Sequence, residues 1–476
     1  MSIRKSMLIA VLSMLMAVVI TVALVQVGLA ISTDVVGTEE EAEVQKAKQT
    51  LYLWYTDEAL TDYLTATSVR YLEETQVRIV PVLKSGKEYL DEINTASMQD
   101  EEMPDLFLIT NDSLEQAYLA GLASALPINN VVNSTHFADT AIHAVTYQGH
   151  LVAYPFYYDT SALLYNKTYL TDYAAAQLQS EADVAAGEEA QAQAEAGVQE
   201  EAQAETGTQE SESFSQEQIL ARMQESLPST FEALATFADT YETPDGVEDI
   251  FRWDVTNILY NYAFLGAYMN VGGECGDDVT QIDIYNTDAV NALTMFQQMN
   301  QFYSIDADLV SYEGILEDFI GGKFVFTIAG TDAVATLEKA KADGVFDGEY
   351  GVIKLPNLTE TLLSRPLSIT TAVAVNGYSA QKSAANAFAS YLVTTGAENL
   401  YTYTGRAAAD TTCAVPYEAL EEFMAAYESS VSMPKMMATS NLWLRLEVGF
   451  REIWGGADVD ETLRKIAEKV TATISE

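Results

Sequence analysis

From Thr50 onward, strand-like and helix-like patterns alternate along the chain, and this alternation limits the fold more than any other feature. Residues 50–55 (TLYLWY) are rich in strand formers, and residues 57–74 then place Leu60, Leu64 and Tyr71 on one helical face. The pattern repeats. Residues 77–82 alternate as a strand, 87–99 read as a helix, 105–109 form a short apolar strand, and 113–120 predict a helix stopped by Gly121. A second alternating region starts at Pro228, with helices over 229–241 and 287–303 and a strand over 323–328. Such alternation predicts parallel sheets with helical crossovers, parsed here as two α/β lobes.

The chain of 476 residues is long enough for two to four domains, at about 100 to 200 residues each. With 49% hydrophobic and 20% charged residues it can bury a core. The 70 acidic against 24 basic residues give a net charge of -46, which excludes nucleic-acid binding by the surface as a whole, because that binding rests on Lys and Arg. Cys275 and Cys413 are too few for a disulfide framework and have no Cys or His near them in sequence for a zinc site. One disulfide and two buried thiols both remain open.

Residues 7–30 carry no charge and follow Arg4 and Lys5. This is an export pattern: residues 1–31 fit a cleaved signal peptide and a retained membrane anchor equally, and they place the body outside the cytoplasm. Residues 32–48 lack apolar periodicity and read as a linker. Residues 171–218 form an Ala/Gln/Glu-rich tract that repeats EEAQA and contains no basic residue, and they are expected to be a disordered acidic insertion.

In open parallel sheets, ligands meet the loops at the carboxyl ends of strands. That rule selects Trp54, Tyr55, Asp57 and Glu58 after the first strand, Asp112 after the third, and Asp332 after the strand over 323–328. Asp57 and Asp112 equally suit helix capping, and Trp54 equally suits a core. The segment 149–166 (GHLVAYPFYYDTSALLYN) is the most informative. It reads as two apolar strands around Tyr157, Tyr158 and Asp159, and an acid flanked by tyrosines suits sugar recognition, since rings pack on pyranose faces and carboxylates accept hydroxyl hydrogen bonds.

Eight pieces in order over nearly all of residues 50–476 now carry a resemblance. They are TLYLWYTDEAL, PDLFLITNDSLEQAYLAGLASAL, YQGHLVAYPFYYDTSALLYNKTYL, PSTFEALATFADTY, GKFVFTIAGTDAV, YGVIKLP, AVAVNGYSAQKSAANAFASYLV and the C-terminal VSMPKMMATSNLWLRLEVGFREIWGGADVDETLRKIAEKV. Together they resemble the extracellular solute-binding proteins of ABC importers, in the maltose-binding-protein-like, sugar-binding group. The resemblance implies a periplasmic-binding-protein type II-like α/β fold: two parallel-sheet lobes, hinge-linked, with a cleft between them. The first lobe would take residues 49–157 and 366–421, and the second 158–365 and 422–476. It implies capture of a carbohydrate, read as an oligosaccharide, and delivery to permease subunits, with no cofactor, no metal and no need for more than a monomer. It also adds Trp443, at a position that often supplies an aromatic platform. Asp332 and Ile109 stand where maltodextrin binders carry aromatic residues, which weakens a maltodextrin assignment.

Other classes remain in view. A glycan-active enzyme would need acids such as Asp112 and Asp159 about 5 to 10 Å apart, and the three histidines, His136, His143 and His150, are split by the turn signal at 147–149. A binding protein for a non-sugar solute, or one that serves signalling, fits the same sequence.

Overall fold

The computed structural model describes residues 49–99, 103–128, 130–195 and 214–475. The expected signal or anchor and the linker lie outside these residues. Among the described residues no helix is long and apolar enough to cross a membrane.

The first elements follow the sequence pattern closely. Strand β1 (Gln49–Tyr55), helix α1 (Thr61–Thr75), β2 (Val77–Leu83), α2 (Tyr89–Gln99), β3 (Leu106–Thr110) and α3 (Leu114–Leu119) alternate. α1 turns Leu64 and Tyr71 inward and ends at Gln76, whose φ of 62° reverses the chain. Helix α4 (Asp139–Ala144) precedes a hairpin of β4 (Thr146–Tyr147) and β5 (His150–Leu151). Its turn uses Gln148 and Gly149, both at positive φ, as tight two-residue connections require. Next comes β6 (Tyr154–Asn166), a single strand of 13 residues where the sequence suggested two. Pro155 does not break it, because proline is tolerated near a strand's first residue.

Helix α5 (Lys167–Glu195) runs through the first half of the tract expected to be disordered, and α6 (Gln216–Glu225) covers its end. This corrects the expectation. Leu170 and Ala174 of α5 are buried with Met223 of α6, and Arg222 grips Glu181 with two hydrogen bonds of 3.0 and 2.7 Å. The contacts lie at the start of the tract, outside its repetitive part.

The chain continues with α7 (Phe231–Thr240), β7 (Asp249–Phe251), α8 (Ile258–Asn261), the ribbon β8 (Asn270–Val271) and β9 (Ile282–Asp283), and α9 (Thr287–Tyr303). Then follow α10 (Tyr312–Ile320), β10 (Phe324–Gly330), α11 (Asp332–Ala342), β11 (Tyr350–Ile353) and β12 (Leu367–Val375). The last elements are α12 (Lys382–Val393), α13 (Leu400–Thr404), β13 (Ala407–Ala408), α14 (Ala419–Glu428), β14 (Val431–Ser432), α15 (Leu442–Trp454) and α16 (Val459–Ser475). Side chains cap many helices: Thr230 accepts from Ala233 N–H and Asn286 from Ala289 N–H, both at 2.9 Å.

Pairing explains the architecture. β1 lies between β2 and β3, parallel to both, and β12 runs antiparallel to β3. The first half of β6 pairs antiparallel with β12, up to Thr160 opposite Ser368. From Ser161 on, β6 pairs instead with β10, and from Leu163 also with β11. One strand therefore belongs to two sheets. The sheets are mixed rather than purely parallel, because a strand that crosses over runs against its new neighbours. Two buried clusters form the core: one runs from Leu51, Phe107, Phe156, Phe388 and Tyr427 across to Phe319, Phe324 and Val352 beside β10 and β11, and the other packs Trp253, Phe264, Phe296 and Trp454. The fold is two-lobed α/β. Cys275 and Cys413 are free thiols, and burial pushes the Cys413 thiol up to about 12.

Candidate ligand cleft at the strand crossing

Side chains alternate across a strand, so Tyr157 and Asp159 share one face of β6 and Tyr158 takes the other. Tyr158 is buried, stacked on Tyr427 with ring centres 4.0 Å apart. Tyr157 instead lines a cavity of about 360 Å³ with Asp57, Tyr89, Thr110 and Thr371. The Tyr89 hydroxyl is buried without a hydrogen-bond partner among the described residues, and Glu88 beside it holds φ at 54°, in the left-handed region.

Asp57 ties this wall to a residue far along the chain. Its carboxylate accepts Ala59 N–H at 3.1 Å and so caps the turn 58–60, and it accepts Arg406 Nε at 2.8 Å. The Tyr157 hydroxyl stands 3.5 Å from the same carboxylate, and the Arg406 guanidinium is 6.0 Å from the Tyr157 ring centre. Burial pulls the Arg406 pKa down, but the hydrogen bond and charge of Asp57, with Tyr157 and Asp159, together outweigh it, and the net shift is upward.

Asp159 accepts Thr331 Oγ1 at 2.9 Å and Thr331 N–H at 3.2 Å. Burial first, and the charge of Asp332 second, push its carboxyl up to about 6. Asp332 opens α11, accepts the Tyr312 hydroxyl at 2.8 Å, and is also shifted up by burial. Tyr312 stacks on Tyr260 with centres 4.7 Å apart. Tyr401 donates to Thr331 O at 2.7 Å and accepts Ala335 N–H at 2.9 Å. Asp57 and Tyr157 thus lie beside Arg406, whose charge also acts on Asp159 and Asp332.

The structure sets other sequence candidates apart. Trp54 and Tyr55 lie in the core; Lys84 Nζ covers the Trp54 ring at 4.0 Å, and the Tyr55 hydroxyl donates to Thr61 at 3.0 Å. Glu58 is exposed on its turn. Asp112 is half-buried and accepts from the Thr110 and Ser113 hydroxyls, and Ile109 faces the cavity. Trp443 sits at the margin of the second cluster, 5.7 Å from the Tyr262 ring. Sequence reasoning missed Arg406, Tyr312, Tyr401, Tyr89 and Thr331. Only Arg406 carried a signal: in a chain this acidic it is the single basic residue between Lys382 and Lys435.

A second set of contacts joins the two buried clusters. The fully buried Lys435 donates through Nζ to the carbonyls of His143 and Cys275, and burial pulls its pKa down to about 8. Beside it, Gln148 N–H donates to Asp277 at 2.6 Å and Met437 N–H donates to Glu115.

Residues 66–425 match the model of the bacterial extracellular solute-binding protein family. The chain belongs to that family. Similar solved structures include the extracellular solute-binding protein from Staphylococcus aureus in complex with maltose, at 16% identity and a TM-score of 0.68, covering 90% of this chain and 98% of that one. A cyclo/maltodextrin-binding protein complexed with maltotetraose is similar at 16% identity and 0.67, covering 89% and 97%. The maltose-binding periplasmic protein of Listeria monocytogenes, in complex with maltose, follows at 18% and 0.61, covering 89% and 98%. No curated protein sequence matches the chain. At these identities the solved structures establish the two-lobed fold of this solute-binding protein, and its family places it outside the cytoplasm.

Proposed function

We propose that this solute-binding protein captures a carbohydrate, an oligosaccharide, between its lobes and hands it to the permease subunits of an ABC transporter. The observation that carries this reading lies at the strand crossing: Tyr157 and Asp159 share one face of β6 where it leaves one sheet for the other, with Asp57 and Arg406 beside Tyr157 and Asp332 acting on Asp159. A ligand held there touches both lobes only when they are closed, so its binding energy drives closure about the crossing strands. The carboxylates accept hydroxyl hydrogen bonds about twice as strong as neutral acceptors make. Binding needs no covalent step. Residues 1–31 would keep the body at the outer face of the membrane, as an anchor or after cleavage as a secreted protein. Lobe boundaries near 157 and 365 are proposed, supported by the strand switch between Thr160 and Ser161 and by β12 starting at Leu367. Trp443, at the margin of the second cluster, is proposed as a further ring surface.

A second reading, capture of a non-sugar solute, draws support from Asp332, an acid where an aromatic platform would serve a maltodextrin. A thermal-shift screen of the full-length chain separates the two, because a ligand that binds only the native state raises Tm. The proposal expects a saccharide to raise Tm; a shift with amino acids alone would contradict it.

A further inference from the structure

Among the described residues β11 pairs with β6 and with no other strand, so its second edge is open. Main-chain groups alternate in direction along a strand, and two contacts fix which of them face that edge. Lys167 N–H donates to Glu349 O at 2.8 Å, so the main chain of Glu349 points toward β6, and by alternation so do Gly351 and Ile353. On the other side of β6, Arg252 N–H donates to Phe326 O at 3.3 Å. Phe326, opposite Tyr165, therefore turns toward β7 and leaves the Tyr165 main chain to Gly351. The N–H and C=O groups of Tyr350 and Val352 face away from β6, and none of them meets a hydrogen-bond partner among the described residues. All four residues of β11 line a cavity of about 580 Å³, walled by α11 through Glu338 and Lys341 and by the start of α14 through Glu418, Glu421 and Glu422. An open strand edge in such a slot accepts an extended peptide, whose own main chain continues the ladder.

The charge of the walls selects the occupant. Lys341 is held by Glu349 at 2.8 Å, and Glu338 accepts the Tyr350 hydroxyl at 2.7 Å. Glu418, Glu421 and Glu422 have no ion pair among the described residues, and Lys167, the cavity's other cation, leaves them in excess. Glu418 and Glu422 stand one helical turn apart, about 5 to 6 Å, close to the roughly 6.6 Å between alternate residues of a strand. A second copy of this chain is a poor occupant, because its net charge of -46 repels an acidic slot and its tract over 171–218 has no basic residue. We propose that the open edge of β11 takes up an extended segment of another protein, with lysine or arginine at alternate positions, as an added strand. No residue that lines the cavity of Tyr157 lines this slot, so the surface is separate from the solute site.

The test is fluorescence anisotropy of a labelled peptide, KVKVKVK, titrated with the full-length chain in mild detergent. Its controls are EVEVEVE and a KVKVKVK that is N-methylated at every residue, which keeps each charge but removes the main-chain donors. The lysine peptide is expected to bind at least about tenfold tighter than either control. Val352→Pro, which deletes an outward N–H from the edge, should weaken it about tenfold, and so should Glu418→Gln combined with Glu422→Gln. If Val352→Pro fails to fold, the N-methylated peptide on the unaltered protein carries the test. Equal binding of the methylated and unmethylated lysine peptides would reduce the effect to net charge and overturn strand addition. Equal binding of EVEVEVE would overturn the basic occupant, and no binding of the lysine peptide would overturn the proposal as a whole.

Discussion

Two cations lie where the two buried clusters meet, and their surroundings are opposite. Arg406 is half-buried against a carboxylate, Asp57, and its pKa ends above the usual arginine value. Lys435 is fully buried, its Nζ donates to two backbone carbonyls, and its pKa falls to about 8. A guanidinium bonded to a carboxylate is a fixed charge at every accessible pH. An ammonium bonded only to carbonyls carries a desolvation cost that no counter-charge in contact offsets, so it is the more titratable of the two. The cluster around Arg406 is built on permanent charge, and the seam around Lys435 on charge that is reluctantly held.

Arg406→Met should break this comparison most severely. It leaves Asp57, Asp159 and Asp332 in the seam without their shared cation, and unfolding at pH 7 should show a loss of about 2 kcal/mol, reduced for the partial exposure of the pair. Arg406→Lys should recover part of it, since a lysine restores the charge without the planar fork.

Asp159→Asn should act in the other direction. A carboxyl raised to about 6 in the folded state contributes stability that is fully present below its usual value near 3.8 and lost as pH rises through 6. At pH 7 the ionised group is therefore a liability, and the amide should raise stability by about 1 to 2 kcal/mol. Thermal melts from pH 7 to pH 4 should show that gain disappearing.

Lys435→Met sharpens the contrast on the other side. It removes a desolvated charge but leaves the His143 and Cys275 carbonyls without their donor, and these opposing effects should keep the net change within about 1 kcal/mol at pH 7. Because the lysine pKa is depressed, its penalty is present below about 8 and fades toward 10.5, so the unaltered protein should gain on the variant as pH rises over that range. Hydrogen exchange at the Gln148 and Met437 amides should quicken if the seam loosens. Glu58→Gln sets the baseline: this exposed side chain should change stability and ligand affinity by no more than about 0.5 kcal/mol.

The strand and helix alternation up to Ala120 was legible because each element buries one periodic face, as Leu64 and Tyr71 do on α1. The continuity of β6 was not, since Pro155 and the aromatic pair look like an interruption until the second sheet is present to pair residues 161–166. The order of α5 depends on Arg222 and Met223 of α6, which follow the low-complexity tract. Within the candidate cluster, Asp57, Tyr157, Asp159 and Asp332 were legible from strand ends and alternation. Arg406 was not, because its contact with Asp57 spans 349 residues and no local pattern encodes it. Tyr158 illustrates the converse: an aromatic between Tyr157 and Asp159 points to the opposite face of the strand.

The most direct test of the account is titration of a binding saccharide into the unaltered protein and into Tyr157→Ala, whose side chain lines the cavity and contacts Asp57. The account predicts one saccharide per chain and affinity at least about tenfold weaker in the variant. Equal affinity in both proteins would place the ligand elsewhere and contradict a site at the strand crossing.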